Sequence, residues 1–447
     1  MRIIKPFRLP GENDDTLNLP SPLGGRWRAA PDEGQARDRV HEMKDIAIYI
    51  HIPFCVRKCA YCDFLSFPGT KAMQEQYIQK LLWEIRESAS AYREYKVNSV
   101  FYGGGTPTVV EAEHISRIMD TLREHYVFGA DTECTIECNP GTADAEKLAI
   151  YRKQGLNRIS IGCQSVHDRE LKRLGRIHNR EHFLDCFQAA RAAGFDNINV
   201  DLMSGLPEQT VADWEENLRT VAKLAPEHIS AYSLIIEEGT PFYGRYHRQL
   251  ELREKGLEPD EIRRKLQKEN GMQQGVEDIP MLPSEEAERE MYHRTAELLA
   301  EYGYRQYELS NYAKPGRACR HNLVYWQRGD YAGFGLGAAS CVNDVRWKNE
   351  TDLKKYLACE CMADLQTDRE ILSPEEQRSE AMFLGLRLTE GIDTAAFAQR
   401  YGQIPGDYYG QTIDRMKREN LLEETEGRLR LSARGWDLAN IVMAEFV

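Results

Sequence analysis

Cys55, Cys59 and Cys62, in YIHIPFCVRKCAYCDF, form the one tight trio among the chain's eleven cysteines. Thiolates suit soft metals and iron–sulfur clusters, and three on a short loop can clamp three irons of a cubane while the fourth iron stays open to an added ligand. The competing chemistry is a structural zinc site, which takes four protein ligands, typically from paired short knuckles. No second Cys-x-x-Cys pair is present, and His51 would have to reach in from the preceding strand. The other cysteines, such as Cys134, Cys163 and Cys186, are scattered through apparent core segments, which is the thiol usage of a reducing compartment and not a disulfide framework.

The loop must be held by elements, and these read as a repeated pattern. From Ile46 onward short β-branched runs (IAIYIHI, VNSVFYGG, ECTIECNP, RISIGCQS, NINVDLMSG, HISAYSLII) alternate with amphipathic stretches such as MQEQYIQKLLWEIRESASAY and REHFLDCFQAARAAGF. Nearly continuous apolar strands separated by helices predict a parallel sheet with helical crossovers, as a full or partial TIM-like (β/α)6 barrel. Each later strand ends in groups fit for a polar ligand: Gly104, Gly105 and Thr106 in FYGGGTPT, Glu137 in TIECNP, Gln164 in SIGCQS, Asp201 in NVDLMSG. Ligands of parallel barrels bind at the C-terminal strand ends, so consecutive polar ends beside the cysteine loop predict a single site.

The whole chain has 447 residues with 42% hydrophobic side chains, enough for one large core and a smaller domain. Fifty-eight Lys and Arg against 71 Asp and Glu leave a net charge of -13, which argues against a nucleic-acid partner. Pro6, Pro10 and the acidic GENDD leave no apolar core for a signal peptide, and no window reaches the roughly 20 apolar residues of a membrane span, so a cytoplasmic location is expected. The expected organisation is an extension over 1–44, a core barrel over 45–244, a charged, solvated helical insertion over 245–282, a barrel-associated region over 283–365, and a domain over 366–447. In that last portion a helix-helix-helix-ribbon order (MFLGLRL, FAQRYG, IDRMKRENLLEE, GRLRLSARG) predicts a winged-helix-like α+β fold.

The Cys-x3-Cys-x2-Cys loop after the first strand resembles the signature of the radical-SAM superfamily. YIHIPFC, GGGTPT, the Gln164 and Arg176 pair in GCQSVHDRELKRLGRIH, SGLPEQT, SLIIEEGTPFY and RHNLVYW together resemble its coproporphyrinogen oxidase-like branch, from about Ile46 to the C-terminus with 245–282 excepted. The resemblance implies a 4Fe-4S cluster on Cys55, Cys59 and Cys62, with S-adenosylmethionine (SAM) on its open iron. Tyr49 and Tyr61 would flank SAM, Gly104, Gly105 and Thr106 would meet its amino group, Glu137, Gln164 and Arg176 its other polar groups, and Asp201 its ribose. The oxidases carry one more cysteine two residues past the third, where this chain has Asp63 and Phe64. His321, Asn322, Tyr325 and Trp326 match an HNxxYW motif of the branch's heme chaperones, which implies His321 as axial heme ligand and Tyr325 and Trp326 as stacking partners. Ala339 stands where many relatives have a second histidine. The expectation is therefore a heme carrier that serves heme-accepting proteins, with an electron donor as a further partner if radical chemistry operates. The alternatives are radical decarboxylation of coproporphyrinogen III and SAM-dependent methyl transfer.

Overall fold

The computed structural model describes residues 43–269 and 280–447. Apart from Met43 and Lys44, the expected extension lies outside the described residues, as does 270–279 of the expected insertion. Strands β1 (Lys44–Ile52), β2 (Tyr95–Gly104), β3 (Val127–Cys138), β4 (Arg158–Gln164), β5 (Ile198–Ser204) and β6 (His228–Ser233) lie side by side in chain order, all parallel. Helical crossovers join them, as the alternation of strand and helix patterns requires. After β7 (Arg305–Glu308) and β8 (Asn311–Ala313), which extend the sheet antiparallel beyond β6, the chain returns to the far side. There β9 (Tyr331–Phe334) pairs parallel with β1, and β10 (Ala339–Val342), β11 (Val345–Asn349) and β12 (Gln366–Ile371) continue antiparallel to an open edge. Among the described residues the sheet does not close, so the barrel is partial.

Register follows from burial. Ile46, Ile48, Ile50 and Ile52 are all buried, which commits Tyr49 and His51 of β1 to the opposite face. A slip of one residue would put four isoleucines on that polar face. The helices begin where the sequence supplies caps: Thr70 accepts from the Met73 amide, Asn179 from His182, and Thr210 and Asp213 form a reciprocal capping box.

The helix Lys71–Ser88 carries an acid into the core. Glu84, 1% exposed, accepts from the Gly335 amide at 3.0 Å, Asn349 Nδ2 at 2.6 Å and the Tyr356 hydroxyl at 2.7 Å. Burial raises its carboxyl to about 7 in spite of these donors. Nearby, the Tyr77 hydroxyl donates to the His51 carbonyl and accepts from the Leu336 amide, which fastens the 333–338 turn to β1.

The charged run expected as a solvated insertion forms two helices, Pro241–Glu254 and Pro259–Glu269, and the expected break at 244/245 falls inside the first. Its charges face out, but Phe242, Tyr246 and Leu252 are buried, so the element belongs to the core wall. The C-terminal portion has its own apolar core around Met382, Leu386, Phe397, Ile413 and Leu431. Its helices Pro374–Gly385, Thr394–Tyr401 and Pro405–Arg418 pack with the small sheet of β13 (Ile392–Asp393), β14 (Leu422–Thr425) and β15 (Arg428–Leu431), the helix-and-ribbon order the sequence predicts. Two buried ion pairs, Arg387 with Glu308 at 3.2 Å and Arg328 with Glu380 at 3.0 Å, join it to the barrel.

Candidate functional site

The three cysteines sit, partly exposed and unpaired, in the loop that leaves β1. Main-chain bonds hold that loop on several sides. It closes on itself through Cys55 N to Phe67 O (3.0 Å) and Phe67 N to Pro53 O (2.9 Å). The loop after β2 joins it through Gly105 N to Ile52 O and Thr106 N to Phe54 O, both 2.8 Å. Ala60 N donates to Leu174 O at 3.1 Å, and Phe242 N donates to Ala60 O at 2.9 Å. A Cβ on Gly105 would lie 2.7 Å from the Phe54 carbonyl oxygen and 3.0 Å from Cys55 Sγ, so only glycine allows this approach. Next to it, Thr106 Oγ1 is 3.6 Å from Cys55 Sγ.

Arg176 comes from beyond the short helix Asp168–Leu174 and points its guanidinium at Cys59 Sγ, 3.7 Å away, while its other nitrogen donates to Asn139 and to the Gly162 carbonyl. Its Nε is buried without a partner. Gln164, in the left-handed region at φ 66°, sets its amide beside Arg176: a Cβ on Gly162 would meet both side chains at 3.1–3.2 Å. The helix that delivers Arg176 stands on a buried knot in which Glu170 accepts from Ser165 and Gln209. His167 and Asp213 lie close to Glu170. Asp213 is consumed by Arg169 and Thr210, so the trio serves the helix and not an ion.

Glu137 and Asp201 face the interior below. Asp201 accepts from Ser160 Oγ at 3.0 Å and Asn199 Nδ2 at 2.8 Å. Burial, then the neighbouring Asp201, push Glu137 up to about 8 even though the Gly104 amide donates to it. Burial likewise raises Asp201. Burial thus favours the neutral form of both carboxyls, and a cation placed beside them would restore their charge. Tyr61 lies against Phe242, ring centroids 6.4 Å apart, and Tyr49 hydrogen bonds His51 Nδ1 at 3.1 Å. His51 Nε2 bonds the Leu65 carbonyl at 2.9 Å, so both ring nitrogens are engaged and the zinc alternative loses its fourth ligand.

The HNxxYW run forms the short helix Arg320–Trp326. His321 is 2% exposed, its Nδ1 bonded to Ser99 Oγ at 3.0 Å and its Nε2 to the Tyr325 hydroxyl at 2.9 Å, with its ring stacked on Phe101. Burial and the nearby Arg158 lower its pKa to about 3. In this structure both of its ring nitrogens are hydrogen bonded to hydroxyls inside the barrel. Tyr325 stacks edge-on against Tyr331, and Trp326 lies under the Arg387 guanidinium, 4.1 Å from the ring centroid. The HNxxYW run thus joins the barrel to the C-terminal portion. Sequence reasoning missed Asn139 and the positioning part of His51, though both stand inside quoted runs, ECNP and YIHIPFC.

Residues 49–221 match the model of the Radical SAM superfamily and 372–438 that of the HemN C-terminal domain. Heme chaperone HemW of Bacillus subtilis is 34% identical over 403 residues, 89% of this chain and 98% of the relative. Its Escherichia coli counterpart is 37% identical over 298 residues, 66% of this chain and 70% of the relative. A mouse protein, radical S-adenosyl methionine domain-containing protein 1, mitochondrial, is 33% identical over 324 residues, 70% of this chain and 67% of its own length. Among solved structures, coproporphyrinogen III oxidase (HemN) of Escherichia coli superposes with TM-score 0.74 at 23% identity, covering 93% of both chains, which establishes the shared fold.

Proposed function

Because the chain belongs to the HemW family within the radical SAM superfamily, we propose that it is a heme chaperone that carries a 4Fe-4S cluster on Cys55, Cys59 and Cys62 and binds SAM beside it. The observation that carries this reading is the 34% identity spread over 98% of a heme chaperone, joined to Asp63 and Phe64 where the oxidases have a further cysteine. Such a cluster would supply an open iron to hold SAM and one electron for its sulfonium.

The chain's own residues do the rest. Arg176 balances the negative charge of the thiolates, its guanidinium 3.7 Å from Cys59 Sγ. The amides and hydroxyl of Gly104, Gly105 and Thr106 line the approach, and Glu137 faces the cationic centre. Asp201, held by Ser160 and Asn199, presents its remaining lone pairs to a diol. Tyr61, pinned by Phe242, and Tyr49, pinned by His51, wall the ligand from water. His321 is the axial heme ligand in this reading, with Tyr325 and Trp326 beside it, and ligation through Nε2 would displace the Tyr325 hydroxyl. A cytoplasmic location fits the thiols, and among the described residues no helix is long and apolar enough to cross a membrane.

The deciding experiment gives the anaerobically reconstituted protein coproporphyrinogen III, SAM and a reductant in one sample, and heme with a heme-free acceptor protein in another. Heme binding and handover without protoporphyrinogen or carbon dioxide are expected; release of carbon dioxide would make the chain an oxidase. Cys55→Ala is expected to lose stable cluster assembly, since two thiolates cannot hold three irons, and acid-labile sulfide at wild-type ratio would refute that.

A further inference from the structure

Arg158, the first residue of β4, is 2% exposed, yet its Nε has no hydrogen-bond partner and it forms no ion pair among the described residues. The acids around it are bonded elsewhere. Glu133 accepts from Cys319 Sγ at 3.5 Å and from the His321 amide at 3.3 Å, Asp201 from Ser160 and Asn199, and Glu137 from the Gly104 amide. A guanidinium taken out of water without a counter-charge is costly, so an anion or ordered water must complete this one. A second group points to the same place. Thr135 of β3 is fully buried, and its Oγ1 is also without a partner. Thr135 and Arg158 are paired in register, and each stands two residues before a side chain of the interior, Glu137 and Ser160, so both face inward side by side.

Their row continues across the sheet. Tyr49 pairs with Phe101, Phe101 with Thr135 and Thr135 with Arg158, one residue from each of β1 to β4. The Tyr49 and Phe101 rings stack with centroids 6.4 Å apart, and His321 lies on Phe101 at 5.1 Å. Arg158 stands two strands beyond Phe101, about 10 Å at ordinary strand spacing. A row that runs from flat aromatic rings to a cation and a hydroxyl is complementary to a flat apolar ring with a carboxylate at its rim.

We propose that Arg158 and Thr135 form a carboxylate-binding subsite inside the barrel. The guanidinium donates to the carboxylate and supplies its counter-charge, and the Thr135 hydroxyl donates a further bond. The source of the carboxylate rests on the heme-carrier reading: with iron on His321, a propionate of the same porphyrin reaches Arg158. The subsite then fixes which edge of the ring enters first and selects porphyrins with free acid side chains.

The test titrates the full-length, anaerobically reconstituted protein with heme and with heme dimethyl ester, whose propionates carry no charge, and reads Kd from the Soret band. The wild type is expected to bind heme about tenfold tighter than the ester. Arg158→Gln should bring heme to the level of the ester, and Thr135→Val, which keeps the shape and deletes the hydroxyl, should weaken heme about threefold. The Kd of the ester should stay within about twofold in both. Circular dichroism establishes which variants fold, and Thr135→Val carries the comparison if Arg158→Gln does not. Equal affinity for heme and ester in the wild type, or a preference for heme that persists in the folded variants, leaves ordered water as the only occupant and overturns the subsite. If the wild type binds neither porphyrin, the heme reading fails and thermal melts with sodium acetate decide. A rise in melting temperature that the variants lack supports a subsite for a small free carboxylate, and no rise overturns it.

Discussion

Glu137→Gln separates electrostatics from shape at the site. In the free protein Glu137 is held protonated up to about 8, so affinity for a cationic sulfonium should climb as pH rises toward that value and level off above it. Titration calorimetry of SAM should show this climb in the wild type and a flat profile in the variant. His321→Ala is expected to cost about 2–4 kcal/mol of stability, through a lost ring and two orphaned hydroxyls, and to weaken heme binding of the folded protein in a spectroscopic titration. Its folded pKa near 3 lies below the ordinary 6.5, so the stability tied to its neutral form is complete above about 6.5 and lost as pH falls toward 3. Urea melts across that window should show a shallower acid limb in the variant. The cysteines and polar strand ends could be read from the sequence because their chemistry is local in the chain. The task of His321 could not, because its partner Ser99 is 222 positions away and only the fold brings them together.

Elements decide whether those residues can meet. Gly105→Ala should block cluster assembly although glycine has no side chain to hold iron, because the added Cβ would push on the Phe54 carbonyl and Cys55 Sγ. Iron and sulfide analysis after reconstitution checks this, and a wild-type iron content in a folded variant would show that the loop can give way. The crossover pattern was legible because buried parallel strands are nearly uniform in hydrophobicity and the helices between them alternate. The helix Pro241–Glu254 was legible only in part. Its charges dominate the composition, while the few side chains that matter, Phe242 and Tyr246, are hidden among them and declare themselves only when Phe242 is seen against Tyr61. Asn139 has the same standing: an asparagine before proline reads as a turn, and its grip on Arg176 depends on a helix from elsewhere in the chain.

Across the molecule, the far side of the sheet is tuned by one acid. With its carboxyl near 7 instead of 4.5, Glu84 binds a proton in the folded state that the unfolded chain has already released. Stability should therefore fall as pH rises from about 4.5 to 7, by up to about 3 kcal/mol, and level off above. Glu84→Gln should flatten that limb in chemical denaturation at a series of pH values. The two-part build was legible from the change of pattern near the C-terminus, but the buried ion pairs that join the parts were not, since charge pairing between distant segments leaves no periodic trace. The cysteine loop has the widest consequence. Its shape is set by bonds from its own backbone and from three neighbouring segments, none of which involves iron. A mould of this kind outlasts its casting: when oxygen strips the metal, the empty form should melt within a few degrees of the loaded one and be refilled where it stands, so that an oxidised molecule is mended and not discarded.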